Sequence, residues 1–179
     1  MYVIDITLGH GGLFNWLIEA AGTVRIRRRF AGGQVYVNVY SKDKLDQLHD
    51  FVGESEWVPL ANNVEKLHYG AEKEGLGQFL KEVLQMDLAS AQGASQLAAI
   101  FVKASAWEDN GRRRGMAFRR KQSEWQAALM AYYSTRLQQQ TGIAAGYSDE
   151  EGEAEAEQLY FDLDSAFDVN QHPSPSSNA

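Results

Sequence analysis

At 179 residues and 44% hydrophobic content, the chain can bury a real core, as one domain with a tail or two very small ones. Its formal charge of −7 is uneven: all 17 Lys and Arg lie between Arg25 and Arg136 and 15 acidic residues between Asp5 and Glu124, whereas nine acids and no bases fall between Asp149 and Asp168. The lack of cysteine excludes disulfides and thiolate metal sites, no apolar run of about 18 residues offers a membrane span, and no basic-then-apolar leader is read at the start, so a cytoplasmic protein without a membrane partner is expected.

In chain order, "YVIDITL" (Tyr2 to Leu8) reads as a strand, with Ile4, Ile6 and Leu8 on one face. "ITLGHGG" follows as a tight strand-to-helix turn, because it lacks the glycine spacing and the lysine of a phosphate-binding loop. Leu13, Trp16, Leu17 and Ala20 recur at helical spacing, which predicts a short helix ended by Gly22. "VRIRRRF" and "QVYVNVY" flank "AGG" and predict a β-hairpin. With Gly32-Gly33 as the turn, Val24, Ile26 and Phe30 share a face with Val35, Val37 and Val39. The opposite face then collects Arg25, Arg27, Arg29, Tyr36, Asn38 and Tyr40, a register chosen to keep arginines away from valines. Arg28 is the misfit and must snorkel from an edge or find a carboxylate.

"SKDKLDQLHDFV" predicts a helix with Ser41 as N-cap and Leu45, Leu48 and Val52 inward. His49 reads as decoration on its surface. "EWVPL" (Glu56 to Leu60) predicts a strand that Pro59 confines to an edge. The order to this point is β-α-β-β-α-β, the split βαβ or ferredoxin-like pattern, in which "RIRRR" and the proline strand are the edges.

From Val64 the pattern turns helical. Leu76, Phe79, Leu80, Val83 and Leu84 mark one helix, and a second runs from about Ser90 to Trp107 with Ala94, Leu97, Ala98, Phe101 and Ala104 inward, stopped by "DNG". A third starts near Ser123, with Gln126 as capping-box partner, carries Trp125, Leu129, Tyr132, Tyr133 and Leu137, and ends at Gly142. Beyond Tyr147, "SDEEGEAEAEQ" is too charged to fold alone, and "NQHPSPSSNA" closes the chain. The expected class is therefore α+β: a small antiparallel-sheet domain over 1–62, a helical segment over 63–146 packing on it, and an acidic, largely disordered tail over 147–179.

Two basic clusters carry the functional signal. Arg112, Arg113, Arg114, Arg119, Arg120 and Lys121 put six cations within ten positions, with Trp107 and Phe118 nearby, the residue types that hold phosphates and stack bases. If Asn110-Gly111 turns a hairpin, it resembles, with the two helices before it, a winged helix with a basic wing. Its would-be recognition helix offers Ser, Gln and Ala, with Lys103 the lone cation, so major-groove reading is not expected. Arg25, Arg27 and Arg29 with Tyr36 and Tyr40 form a second candidate surface for phosphates and bases, though the RNA-recognition-motif signature is absent. The bland readings of both are a solvated loop, or arginines paired with the acidic tail, and an exposed Arg–Tyr ladder.

No catalytic constellation is legible. His10, His49, His68 and His172 are scattered, and Glu65, His68, Glu72 and Glu74 have no diagnostic metal spacing. In the tail, Leu159, Tyr160, Phe161, Leu163 and Phe167 alternate with aspartates, a composition suited either to docking on a partner or to packing back on the body. The expected function is a small non-catalytic nucleic-acid-associated or regulatory protein, without cofactor or metal, whose arginine patch engages DNA or RNA and is modulated by the acidic tail. The alternative is a protein–protein adaptor or assembly factor that docks through the tail and the arginines.

Overall fold

The computed structural model describes residues 1–9, 11–29 and 33–146, with side chains through Gly142. Four strands, β1 (Val3–Ile6), β2 (Leu13–Ile18), β3 (Val24–Arg29) and β4 (Val35–Tyr40), pair antiparallel in chain order as a meander. Helices follow, and the class is α+β. The split βαβ order does not occur, because residues 13–18 form a strand where a helix was expected. Phe14, Trp16 and Ile18 alternate into the core, and β2 is hydrogen-bonded on both sides. The glycine segment before it is accordingly a strand-to-strand turn. Thr7 N–H donates to the Gly12 carbonyl, Gly12 N–H returns to Thr7 Oγ1, and Gly11 takes φ +70°. His10 lies outside the described residues.

The β3–β4 register also corrects the sequence expectation. Cross-strand partners are Val24 with Tyr40, Ile26 with Asn38 and Arg28 with Tyr36 on the inner face, and Arg25 with Val39, Arg27 with Val37 and Arg29 with Val35 on the outer. The valines sit with the arginines and are 41 to 50% exposed, whereas Tyr40 is fully buried. Burial forbids sinking three arginines but permits exposing three valines, so apolarity alone does not fix which face of the hairpin is inward. "RIRRR" is an interior strand, and β1 and β4 are the edges. Phe30, also assigned to the valine face, lies outside the described residues.

The inner face is polar where it meets the next elements. Arg28 is buried and donates from Nη2 to the Ala89 carbonyl at 2.6 Å, Asn38 donates to Ser90 Oγ, and the Tyr40 hydroxyl donates to the Ser90 carbonyl at 2.8 Å. Burial holds the Arg28 pKa below its ordinary value and raises that of Tyr40. These bonds dock α4 (Leu88–Gln92) on the sheet. Gly93 then breaks the run before α5 (Ala94–Lys103), where a Cβ would lie 2.1 Å from the Tyr40 hydroxyl.

Helix α1 (Lys42–Phe51) buries Leu45 and Leu48, with Val52 just beyond, as its periodicity predicts, although the Ser41 side chain makes no cap bond. Between α1 and α4 come β5 (Val58–Pro59), α2 (Val64–His68) and α3 (Leu76–Gln78), which continues as a π-helical turn over Phe79–Val83. That turn adds a residue to the coil, and Val83 rotates out to 56% exposure while Leu76, Leu80 and Leu84 stay buried. Helix α5 ends at Lys103, short of Trp107, because Ser105 turns back at φ +60°. A second sheet of order β5-β7-β6 contains β6 (Trp107–Asp109) and β7 (Ala117–Arg120). Helix α6 (Trp125–Gly146) closes the described chain, and Gln126 donates to the Ala20 carbonyl instead of completing a capping box. One hydrophobic cluster runs from Val3 through Leu45, Leu80 and Phe101 to Leu129, so the sheet and the helical segment share a core. No helix among the described residues is long and apolar enough to cross a membrane. The tail expected over 147–179, including Leu159, Tyr160, Phe161, Leu163, Phe167 and His172, lies outside the described residues.

Candidate functional site

Asn110 and Gly111 do turn a hairpin. Strands β6 and β7 pair with Glu108 opposite Arg119 and Asp109 opposite Phe118, and residues 110–116 form the loop between them. Its shape is local chemistry: Asp109 Oδ1 accepts the Gly111 N–H at 2.7 Å, Asn110 Oδ1 accepts the Arg112 N–H, and Asn110 Nδ2 donates to the Gly115 carbonyl. Gly111 and Gly115 both take φ +69°, which lets the loop reverse at each end.

The six-cation cluster is divided by this geometry. Arg112, Arg113 and Arg114 are exposed at the tip, and among the described residues neither they nor Lys121 have an ion-pair partner. Arg119 pairs with Glu108 and lies over the Trp57 ring, 4.7 Å from its centroid. Arg120 reaches Asp50 at 3.3 Å and Glu54 at 3.4 Å. Three tip arginines and Lys121 are thus available to a ligand, while Arg119 and Arg120 are tied to the protein's own carboxylates.

The aromatic partners change as well. Trp107 and Phe118 are core residues, each about 1% exposed, and offer no ring to a ligand. The exposed ring beside the hairpin is Trp57, at 42% exposure, brought there by the pairing of Val58 with Phe118. Its sequence signal was an aromatic between charged and proline-bearing neighbours, but the pairing that sets it beside Arg119 spans about sixty residues.

Helix α5, which precedes the hairpin, is no reading head. Ala94, Leu97, Ala98, Ala99, Ile100 and Phe101 are buried, and Lys103 is turned to the buried carboxylate of Asp5 and to the Ile6 carbonyl. Of the arrangement considered from the sequence, the hairpin forms, and the helix before it is buried instead of exposed for reading.

The second candidate surface separates. Tyr40 is buried against α4 and Tyr36 points to the inner face, opposite Arg25, Arg27 and Arg29. Arg25 also pairs with Glu19, which raises its pKa through that hydrogen bond. Arg25, Arg27 and Arg29 thus do not share a face with Tyr36 and Tyr40, and the arginine across from Tyr36 is Arg28. His49 is likewise no surface group: it is buried, accepts the Trp107 indole N–H, and has its pKa lowered by burial first and by Arg120 second. Glu65, His68 and Glu74 are exposed, and Glu72 accepts the Asn63 and Lys73 backbone N–H groups. Among the described residues no three His, Asp or Glu side chains gather as a metal site.

The chain is thus an α+β protein whose clearest candidate site is a hairpin tipped with arginines. Comparison with protein-family models, with curated proteins and with solved structures finds no match.

Proposed function

We propose that this is a non-catalytic nucleic-acid-associated protein that grips phosphate backbone with the tip of the β6–β7 hairpin. The observation that carries the reading is the trio Arg112, Arg113 and Arg114, exposed, without ion-pair partners among the described residues, and held out on a loop anchored by Asx bonds. Guanidinium groups bind phosphate oxygens bidentately, and such contacts position a protein without reading sequence. Lys121 widens the patch, and the Arg119–Trp57 pair offers a partly exposed ring beside it. With α5 buried, the binding is shape- and charge-driven, on DNA or RNA, and indifferent to base sequence. The acidic stretch over Asp149–Glu157 competes for the same cations, most strongly at low salt.

Fluorescence anisotropy tests this, with single- and double-stranded DNA and RNA, at two salt concentrations, on the full chain and on residues 1–147. Among the described residues every buried core residue lies between Val3 and Leu129, so the shorter chain keeps all of the core that the described residues form. Salt-sensitive binding that tightens on truncation supports the reading. No binding by either form at low salt sinks it. A second reading, a protein–protein adaptor or assembly factor that docks through the arginines and the tail, draws on a separate observation: the exposed valines of β4.

A further inference from the structure

The outer face of the four-stranded sheet is unusual for a solvated surface. An antiparallel sheet with one face in water normally alternates apolar inward and polar outward. Here the outward positions of β4 are Val35, Val37 and Val39, at 41, 50 and 42% exposure, and Ile6 on β1 is 46% exposed. Beside the valines stand Arg25, Arg27 and Arg29, one directly across from each. Helices α4, α5 and α6 all pack on the opposite face. The result is an aliphatic surface set with guanidinium groups, and no aromatic side chain of β3 or β4 faces the same way.

We propose that this face is the docking site of the chain's own segment Leu159–Phe167. The first reason is complementarity. "LYFDLDSAF" supplies the apolar side chains of Leu159, Phe161, Leu163 and Phe167 together with the carboxylates of Asp162 and Asp164, the two kinds of group that a face of valines and arginines takes. Nucleic acid fits the face less well, since the face offers aliphatic surface where bases need rings.

The second reason is the path of the chain. Arg136 and Gln140 both donate to the Ile4 carbonyl, at 2.6 and 3.2 Å, so the last turns of α6 run along β1, an edge of this same sheet. From the end of α6 at Gly146, twelve residues lead to Leu159. They span up to about 40 Å at ~3.3 Å each, whereas four strands about 4.8 Å apart cover less than ~20 Å. A tether of that length holds the segment at an effective concentration of order millimolar, which makes even a weak contact populated. This inference is independent of whether the hairpin meets nucleic acid.

The absence of native cysteine gives a clean test on the full-length chain. Val37→Cys with Phe161→Cys is oxidised and compared with Gln47→Cys with Phe161→Cys, Gln47 being an exposed position on α1. Docking predicts a monomeric disulfide that closes at least about tenfold faster for the Val37 pair, and a rate that falls on adding Arg27→Glu. Equal rates for the two pairs overturn the proposal. Predominantly dimeric disulfide also overturns it and assigns the face to a second copy. A cysteine-free check uses Phe161→Ser with Leu163→Ser in the full chain, which should raise the fluorescence of an apolar dye. An unchanged signal counts against docking.

Discussion

The indole N–H of Trp107 donates to Nδ1 of His49 at 2.8 Å, and this one buried bond ties the arginine hairpin to α1. The bond requires an unprotonated Nδ1. Around it Phe101 stacks on Trp107 with ring centroids 4.2 Å apart, and Phe118 closes the far side. The orientation of the hairpin on the body is therefore coupled to the protonation of one histidine.

Stability should accordingly fall in mild acid. Burial, and then Arg120, lower the His49 pKa in the folded chain, so the unfolded chain binds more protons below its own histidine value of about 6.5. The contribution is complete above that value and is lost as pH falls through it toward the folded pKa. Thermal unfolding between pH 7.5 and 5.5 should show a declining midpoint, and His49→Gln should flatten that part of the profile. An equal decline in the variant assigns the acid sensitivity elsewhere.

The hairpin tip should matter to binding and not to folding. Replacing Arg112, Arg113 and Arg114 together by Ala should leave the unfolding free energy within about 0.5 kcal/mol, since the side chains are exposed and unpaired among the described residues. The same change should remove roughly 2–3 from the slope of log K against log salt on duplex DNA. Arg120→Ala, whose guanidinium faces Asp50 and Glu54, should change the slope far less.

Gly93 is set by its neighbour. Gly93→Ala places a methyl group where the Tyr40 hydroxyl sits, with the Ser90 carbonyl 3.0 Å away, and should cost about 1–3 kcal/mol by urea denaturation. Tyr40→Phe removes the oxygen and should recover part of that loss in the double variant. Additive losses would mean that the backbone, and not the hydroxyl, sets the limit.

Asp5 anchors the N-terminal strand. Its carboxylate is 3% exposed, pairs with Lys103 and accepts the Tyr132 hydroxyl at 2.7 Å, linking β1 to α5 and α6. Asp5→Ala leaves the Lys103 ammonium without its carboxylate and should destabilise the fold by about 3 kcal/mol. Asp5→Asn, which keeps hydrogen-bonding capacity, should cost less.

What was legible in the sequence is local chemistry. The separation of charge between body and tail, the helix over Lys42–Phe51 and the turn chemistry of Asn110-Gly111 each depend on neighbouring residues. The meander and the surface identities were decided by tertiary structure. "LFNWLI" satisfies a helical and a strand period at once, and it was a strand because β1 and β3 lie on either side to pair with it. Arg28 could be buried because the Ala89 carbonyl, sixty-one residues away, accepts its N–H, and the valines could face out because Arg28, Asn38 and Tyr40 had the partners on α4 that the inner face required. By itself the sequence determined which residues bear charge and where the chain turns. Only the tertiary structure decided which of those charges are already neutralised, because a distant partner's side chain or carbonyl is supplied by the fold and not by adjacent residues.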